Sequence, residues 1–157
     1  PLGVILKNSK LLQNLHRRGN VLTGVFSIDP TGPRIEYRDF FSPDGKLLAL
    51  QAGPRLIEDG KLLKLSSPEV TSRRSGIAIT RKNEVILYAT LLRFPGASLT
   101  EIQQMLILPE LDVKDALNLD GGGSSQFYLD KIGPQSEEVF ISGGDDVPVA
   151  LVIKRKK

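Results

Sequence analysis

The sequence predicts an α+β domain, a largely antiparallel sheet system with one helix packed on a face. Three observations predict it. Short apolar, β-branched or aromatic runs alternate with turn pairs along most of the chain, the pattern of hairpins. The period changes to helical spacing once, over about residues 99–108, with neither internal repeat nor low-complexity stretch. The 157 residues suit one core, since a chain of this size buries roughly 70% of its unfolded surface. The domain is expected to occupy 1–153 and to be followed by a basic tail at 154–157.

In chain order, strands are expected near Gly3 to Leu6, Val21 to Ile28, Ile35 to Phe41, Leu47 to Ala52 and Arg55 to Glu58. They are separated by Asp29-Pro30-Thr31-Gly32-Pro33, Ser42-Pro43-Asp44-Gly45 and Asp59-Gly60, where proline presets φ and glycine accepts φ above zero. Asp59-Gly60 is the strongest hairpin signal. Ser75 to Thr80 and Val85 to Thr90 flank Arg81-Lys82-Asn83-Glu84 and predict a second hairpin, with Ile77, Ile79, Val85 and Leu87 available for a buried face. Ser98-Leu99-Thr100-Glu101 is a capping box: the serine hydroxyl takes the amide three residues on and Glu101 reaches back. Leu99, Ile102, Met105 and Leu106 then recur at helical spacing until Pro109. The stretch Ala116-Leu117-Asn118-Leu119 runs into Asp120-Gly121-Gly122-Gly123-Ser124-Ser125, and strands are expected again at Gln126 to Leu129, Val139 to Ser142 and Val147 to Ile153.

Composition excludes several functions. The chain has no Cys, so it has no disulfide scaffold, thiolate metal site or cysteine nucleophile. The net charge of +3 comes from the four residues Lys154 to Lys157, which leave 17 basic against 18 acidic residues in the body. Nucleic acid is therefore not an expected partner. No apolar run reaches the roughly 18 residues of a membrane-spanning helix. His16 is the only histidine and stands beside Arg17 and Arg18, which argues for a surface residue and against a Ser-His-Asp hydrolase. Ser124 is not in a G-x-S-x-G elbow, and the chain has neither a phosphate loop of the G-x-x-x-x-G-K-[ST] type nor a histidine metal cluster.

The glycine run carries the chemistry that remains. Three successive glycines each cost up to about 1 kcal/mol in regular structure. Two readings stand: a strand delivers Asp120 to a pocket floor while amides without Cβ shields approach a ligand oxygen, or the run is a tight connection that larger residues could not follow. Arg73-Arg74-Ser75 opens a strand, where a guanidinium can hold a phosphate bidentately or simply be solvated. Gln51-Ala52-Gly53-Pro54 is a strand stopping in a Gly-Pro corner; the Gln51 amide orients a ligand if it points inward and is otherwise an edge residue. Among the acids Asp120 leads, with Asp112, Asp115, Asp130, Asp145 and Asp146 scattered behind it.

Ala116 to Ser125 resembles the strongest signature of the phosphodiester glycosidase family. Gln51 to Lys61 resembles that family's Gly-Pro corner before a hairpin, Arg74-Ser75-Gly76-Ile77-Ala78-Ile79 its Arg-[Ser/Thr] strand, and Ser98 to Met105 its helix. The likeness runs from about Leu50 to Ile153, with four motifs in the family's order. It implies cleavage of a sugar, typically N-acetylglucosamine, from a phosphodiester at the anomeric carbon, with a role around bacterial exported polysaccharides and an exported location. It also implies Asp120 as the acid or nucleophile and Arg74 as the phosphate clamp. Gly121, Gly122 and Gly123 become the close-approach loop, and Ser124, Gln51, Gly53 and Pro54 the substrate-side positioning groups. The expected partner is a sugar phosphodiester or polysaccharide. No cofactor is expected, and whether a divalent cation shares the phosphate stays open. The family's upstream Asn-Gly element ending in Phe has only a partial echo in Gly24-Val25-Phe26, and Ala78 stands where the family often has glycine. The expectation is of a domain short of one N-terminal element, with a separate N-terminal fragment of the same protein as candidate partner. The alternative is a catalytically silent domain that binds sugar phosphate or polysaccharide.

Overall fold

Turn chemistry sets the strand pairings. A computed structural model describes residues 3–66, 68–91, 96–131 and 136–154. Its first sheet contains β1 (Ile5–Lys7), β2 (Lys10–Gln13), β3 (Gly24–Asp29), β4 (Gly32–Tyr37) and β5 (Leu48–Ala52), in the order β2-β1-β5-β3-β4. The second contains β6 (Arg55–Glu58), β7 (Lys61–Leu62), β8 (Ser75–Thr80), β9 (Val85–Ala89) and β10 (Val113–Asn118), in the order β7-β6-β10-β8-β9. Every pairing in both sheets is antiparallel. Asp59 and Gly60 both have positive φ, 46° and 74°, the type I′ geometry of a two-residue hairpin, and they set Glu58 opposite Lys61. A third small sheet pairs β11 (Phe127–Leu129) with β12 (Val139–Ile141).

Alternation along the strands assigns the layers. Phe26 and Ile35 of the first sheet meet Ile77, Ile79 and Leu117 of the second in the inner core. The neighbouring positions on the same strands, Ala78 and Ala116, face outward beneath helix α1 (Leu99–Leu106), with Leu56, Leu99, Ile102 and Leu106 around them. Alanine at both positions leaves room for the helix, and each large side chain buried there contributes about 1.5–3 kcal/mol. A third cluster, Val4, Leu6, Val25, Phe41 and Ala49, covers the far face of the first sheet.

The expected α+β architecture is the architecture found, with one α-helix among the described residues, and the capping box is formed: Ser98 accepts from the Glu101 amide, and Glu101 accepts from the Ser98 amide. Several details differ. The helix ends at Leu106, short of the expected 108. Met105 is exposed, whereas Gln103 is buried because its Nε2 donates to the Leu56 and Leu63 carbonyls. Val85 sits at an exposed edge rather than in the core. Val147 to Ile153 forms no strand. Pro148 interrupts that stretch, and Val152 and Ile153 are exposed, so only Leu151 packs against the inner core.

Candidate active site

One end of the sandwich collects the predicted groups. The antiparallel order brings together the C-terminal ends of β10 and β5 and the N-terminal ends of β6, β8 and β3. Asp120 and the glycines therefore emerge beside Arg73-Arg74-Ser75 and beside the Gly53-Pro54 corner. Direct hydrogen bonds join the first two segments. The Leu119 amide donates to the Ser75 carbonyl at 2.8 Å and the Gly122 amide to the Arg73 carbonyl at 2.9 Å. The Ser75 hydroxyl donates to the Asp120 carbonyl at 3.0 Å. Asn118, buried two residues before Asp120, ties in the corner: its Nδ2 donates to the Gly53 carbonyl at 3.1 Å and its amide to the Pro54 carbonyl at 3.0 Å. The Gly53-Pro54 bond is cis.

The glycine run is a single 3-10 turn, Gly122–Ser124, closed by Gly121 and Ser125. Gly122 has φ 61°, a region that costs an L side chain about 1 kcal/mol. At Gly123 the need is for space, because a Cβ would lie 2.2 Å from Asp145 Oδ2. Asp120 is exposed at the mouth of the turn, and its Oδ1 accepts from the Gly121 amide at 3.0 Å. Ser124 is half-buried, and its amide donates to the Gly121 carbonyl.

The two arginines are held differently. Arg74 is half-buried, with Nε donating to the Ala97 carbonyl at 3.1 Å and Nη2 to the Val70 carbonyl at 2.5 Å. Its Nη1 lies 3.6 Å from where a Gly121 Cβ would be, so one face of the guanidinium addresses the turn. Burial lowers its pKa, while the nearby Tyr88 opposes this; an arginine stays protonated regardless. Burial also pushes the Tyr88 phenol well above its ordinary value, and the hydroxyl has no partner. Arg73 is only 9% exposed. Its Nη2 donates to the Ser125 carbonyl at 2.7 Å, and its buried Nε has no partner. Among the described residues neither arginine pairs with a carboxylate.

Gln51 is buried and points inward, but toward the protein's own backbone. Oε1 accepts from the Val4 and His16 amides at 3.0 and 2.9 Å, and Nε2 donates to the His16 and Leu22 carbonyls at 2.7 and 2.9 Å. All four hydrogen-bonding positions of the amide are occupied. His16 is half-buried, its backbone gripped by this side chain.

Two placements are not stated by the sequence, although it singles out both residues as candidates. Arg73 is the more deeply buried arginine, although no local signal separates it from Arg74. Asp145 returns to the turn: the amides of Gly144 and Asp145 donate to the Gly123 carbonyl at 2.9 and 3.2 Å. Its signal was the small-residue pair Gly143-Gly144 just before it. An apolar groove of 360 Å³ is lined by Leu87, Tyr88, Thr90, Met105, Phe127 and Ile141, and the Arg74 amide donates to the Thr90 hydroxyl at 2.9 Å. Among the described residues no group of three or more His, Cys, Asp or Glu could hold a metal.

A family model described as phosphodiester glycosidase matches residues 1–154. The chain belongs to the phosphodiester glycosidase family. A solved structure that it is similar to is the zebrafish N-acetylglucosamine-1-phosphodiester alpha-N-acetylglucosaminidase catalytic domain, auto-inhibited by its pro-peptide. The TM-score is 0.62 at 22% identity, covering 80% of this chain and 47% of that one. That likeness bears on the fold, and this chain spans about half the length of the structure it matches. A second structure, a hypothetical protein from Synechocystis, gives a TM-score of 0.41 at 26% identity, over 80% of this chain and 30% of that one, too slight to bear on function. Among curated proteins none matches. No helix among the described residues is long and apolar enough to cross a membrane.

Proposed function

We propose that the protein cleaves a sugar, N-acetylglucosamine in the first instance, from a phosphodiester at its anomeric carbon, and that the Asp120–Ser125 turn with Arg74 is where it does so. The observation that carries the reading is the pair of guanidinium groups beside a glycine turn, one of them buried, with no carboxylate partner among the described residues. A buried cation without a counter-ion costs several kcal/mol, and an anionic ligand offsets that cost. An anomeric phosphate needs little help to leave, so the remaining work is to stabilise an oxocarbenium-like centre and the charge on the departing oxygen.

Each residue has a role on this reading. Asp120, exposed at the mouth and oriented by the Gly121 amide, faces the anomeric carbon. Arg74, fixed through Nε and Nη2, offers Nη1 to a phosphate oxygen. The glycines let backbone approach that oxygen, and Ser124 adds a hydroxyl. Gly53 and Pro54 hold the strand end that Asn118 grips. Gln51 serves as a positioning residue, because its amide is fully engaged by the loop over residues 16–22. The site-bearing domain extends over 1–153 with the basic residues 154–157 beyond it. The resemblance adds a bacterial exopolysaccharide setting and an exported location.

The test is release of free sugar from an N-acetylglucosamine 1-phosphodiester by the full-length protein. Turnover that falls at least about 10²-fold in Asp120→Asn supports the assignment. Binding of the substrate without release of sugar favours a silent binding domain.

A further inference from the structure

The glycine turn has a second carboxylate against it. Asp145 reaches the turn from the loop after β12, where the Gly144 and Asp145 amides donate to the Gly123 carbonyl at 2.9 and 3.2 Å and the Asp145 carbonyl accepts from Gln126 Nε2 at 2.8 Å. Two backbone hydrogen bonds fix the loop on the turn, and the Gln126 side chain, just before β11, holds it as well. The Asp145 carboxylate then fills the space a side chain at Gly123 would take, its two oxygens 2.2 and 2.8 Å from the missing Cβ position. It is exposed and has no cationic partner among the described residues. Arg73, nine-tenths buried, donates Nη2 to the Ser125 carbonyl at the end of this turn and keeps an unpartnered Nε, a positive charge with no carboxylate partner among the described residues.

Two carboxylates at one sugar site have distinct work in glycoside hydrolysis: one serves the anomeric carbon, and the other handles the proton of the attacking water. Asp120 stands at the entry of the turn with its Oδ1 held by the Gly121 amide. Asp145 is exposed to solvent, and neither of its carboxylate oxygens is paired among the described residues. Resting on the phosphodiester glycosidase reading above, we propose that Asp145 is the general base that activates water at this site. The bond from the anomeric carbon to the phosphate oxygen breaks with its electron pair, which leaves on the phosphate monoester. The bond from the anomeric carbon to the water oxygen forms. The water proton passes to the Asp145 carboxylate and from there to solvent.

The experiment uses the full-length protein with an N-acetylglucosamine 1-phosphodiester, with and without sodium azide. Asp145→Ala is expected to lose on the order of 10²- to 10⁴-fold in kcat with little change in KM. Azide, which needs no deprotonation, is expected to restore turnover and give the glycosyl azide by mass spectrometry. Asp145→Asn, nearly isosteric, is expected to lose kcat similarly and serves if the alanine variant does not fold. Gly123→Ala, whose Cβ takes the carboxylate's place, is expected to lose kcat in the same way. Wild-type rates in both Asp145 variants overturn the assignment, as does loss of activity in folded variants without any azide product. If the wild type releases no sugar, the phosphodiester glycosidase reading falls and this assignment with it. If the wild type is active and the Asp145 variants match it, only this assignment falls.

Discussion

The glycine turn and the opposite end of the sandwich treat charge in opposite ways. At the end where β3 turns into β4 and β8 into β9, charges are paired. Lys46 Nζ lies 2.8 Å from Asp29 Oδ2, Arg34 is 3.4 Å from the same carboxylate, and Arg81 reaches both Asp59 and Asp112. Lys46 and Thr31 together hold the Asp29 carboxyl far below its ordinary range. At the other end Arg73, Arg74, Asp120 and Asp145 crowd around one turn, yet no ion pair forms among them. Each is held by backbone groups instead. Salt bridges at the first end satisfy the fold, and unspent charge at the second leaves the arginines available to a phosphate.

Substitutions can break or sharpen this contrast. The largest effect is expected from Asp120→Asn, which removes a charge without disturbing the packing and should reduce sugar release at least about 10²-fold with an unchanged thermal midpoint. Next comes Gln51→Leu. It strands two amides and two carbonyls, and with buried unsatisfied groups costing about 1–3 kcal/mol each it should lower stability by several kcal/mol in denaturant titration. At the paired end Arg81→Ala should cost under about 1 kcal/mol, since its partners are exposed.

The smallest effect concerns Glu36, in a polar pocket lined also by Arg34, Asn83, Lys114 and Asp115. Burial raises its carboxyl above the ordinary 4.5, against the pull of Lys46 and Arg34, and Oε1 has no partner. Because the folded value lies above the unfolded one, the stability this group gives is present below about pH 4.5 and is lost as pH rises through the folded value. Glu36→Gln should therefore match the wild type in thermal midpoint near pH 3 and exceed it slightly at pH 7.

Much of the fold was legible because it is written locally. Asp59-Gly60, the Ser98-to-Glu101 capping box and the β8–β9 hairpin each depend on residues within a few positions of one another, and each formed as read. The edge strands β2 and β7 escaped notice because they are short, lysine-bearing and largely exposed, so they carry no core alternation. Val147 to Ile153 alternates like a strand but finds no ladder. Asp120 and Arg74 could be picked out individually, whereas the contacts that bring the site together could not. Arg73 meets Ser125 across 52 positions and Gln51 meets His16 across 35. Such meetings follow from strand order, which no local pattern states. Gln51 illustrates the limit: the sequence leaves open whether its amide points inward or sits at an edge, and no local pattern states that backbone takes all four of its hydrogen bonds.

The central claim is that the unpaired arginine at the glycine turn holds a phosphodiester, and paired turnover measurements test it most directly. Free sugar released from an N-acetylglucosamine 1-phosphodiester should be compared for the wild type, Arg74→Ala and Arg81→Ala, each checked for folding by its thermal midpoint. The predicted result is a loss on the order of 10²-fold or more in Arg74→Ala and wild-type turnover in Arg81→Ala. Equal turnover by all three proteins would contradict the account.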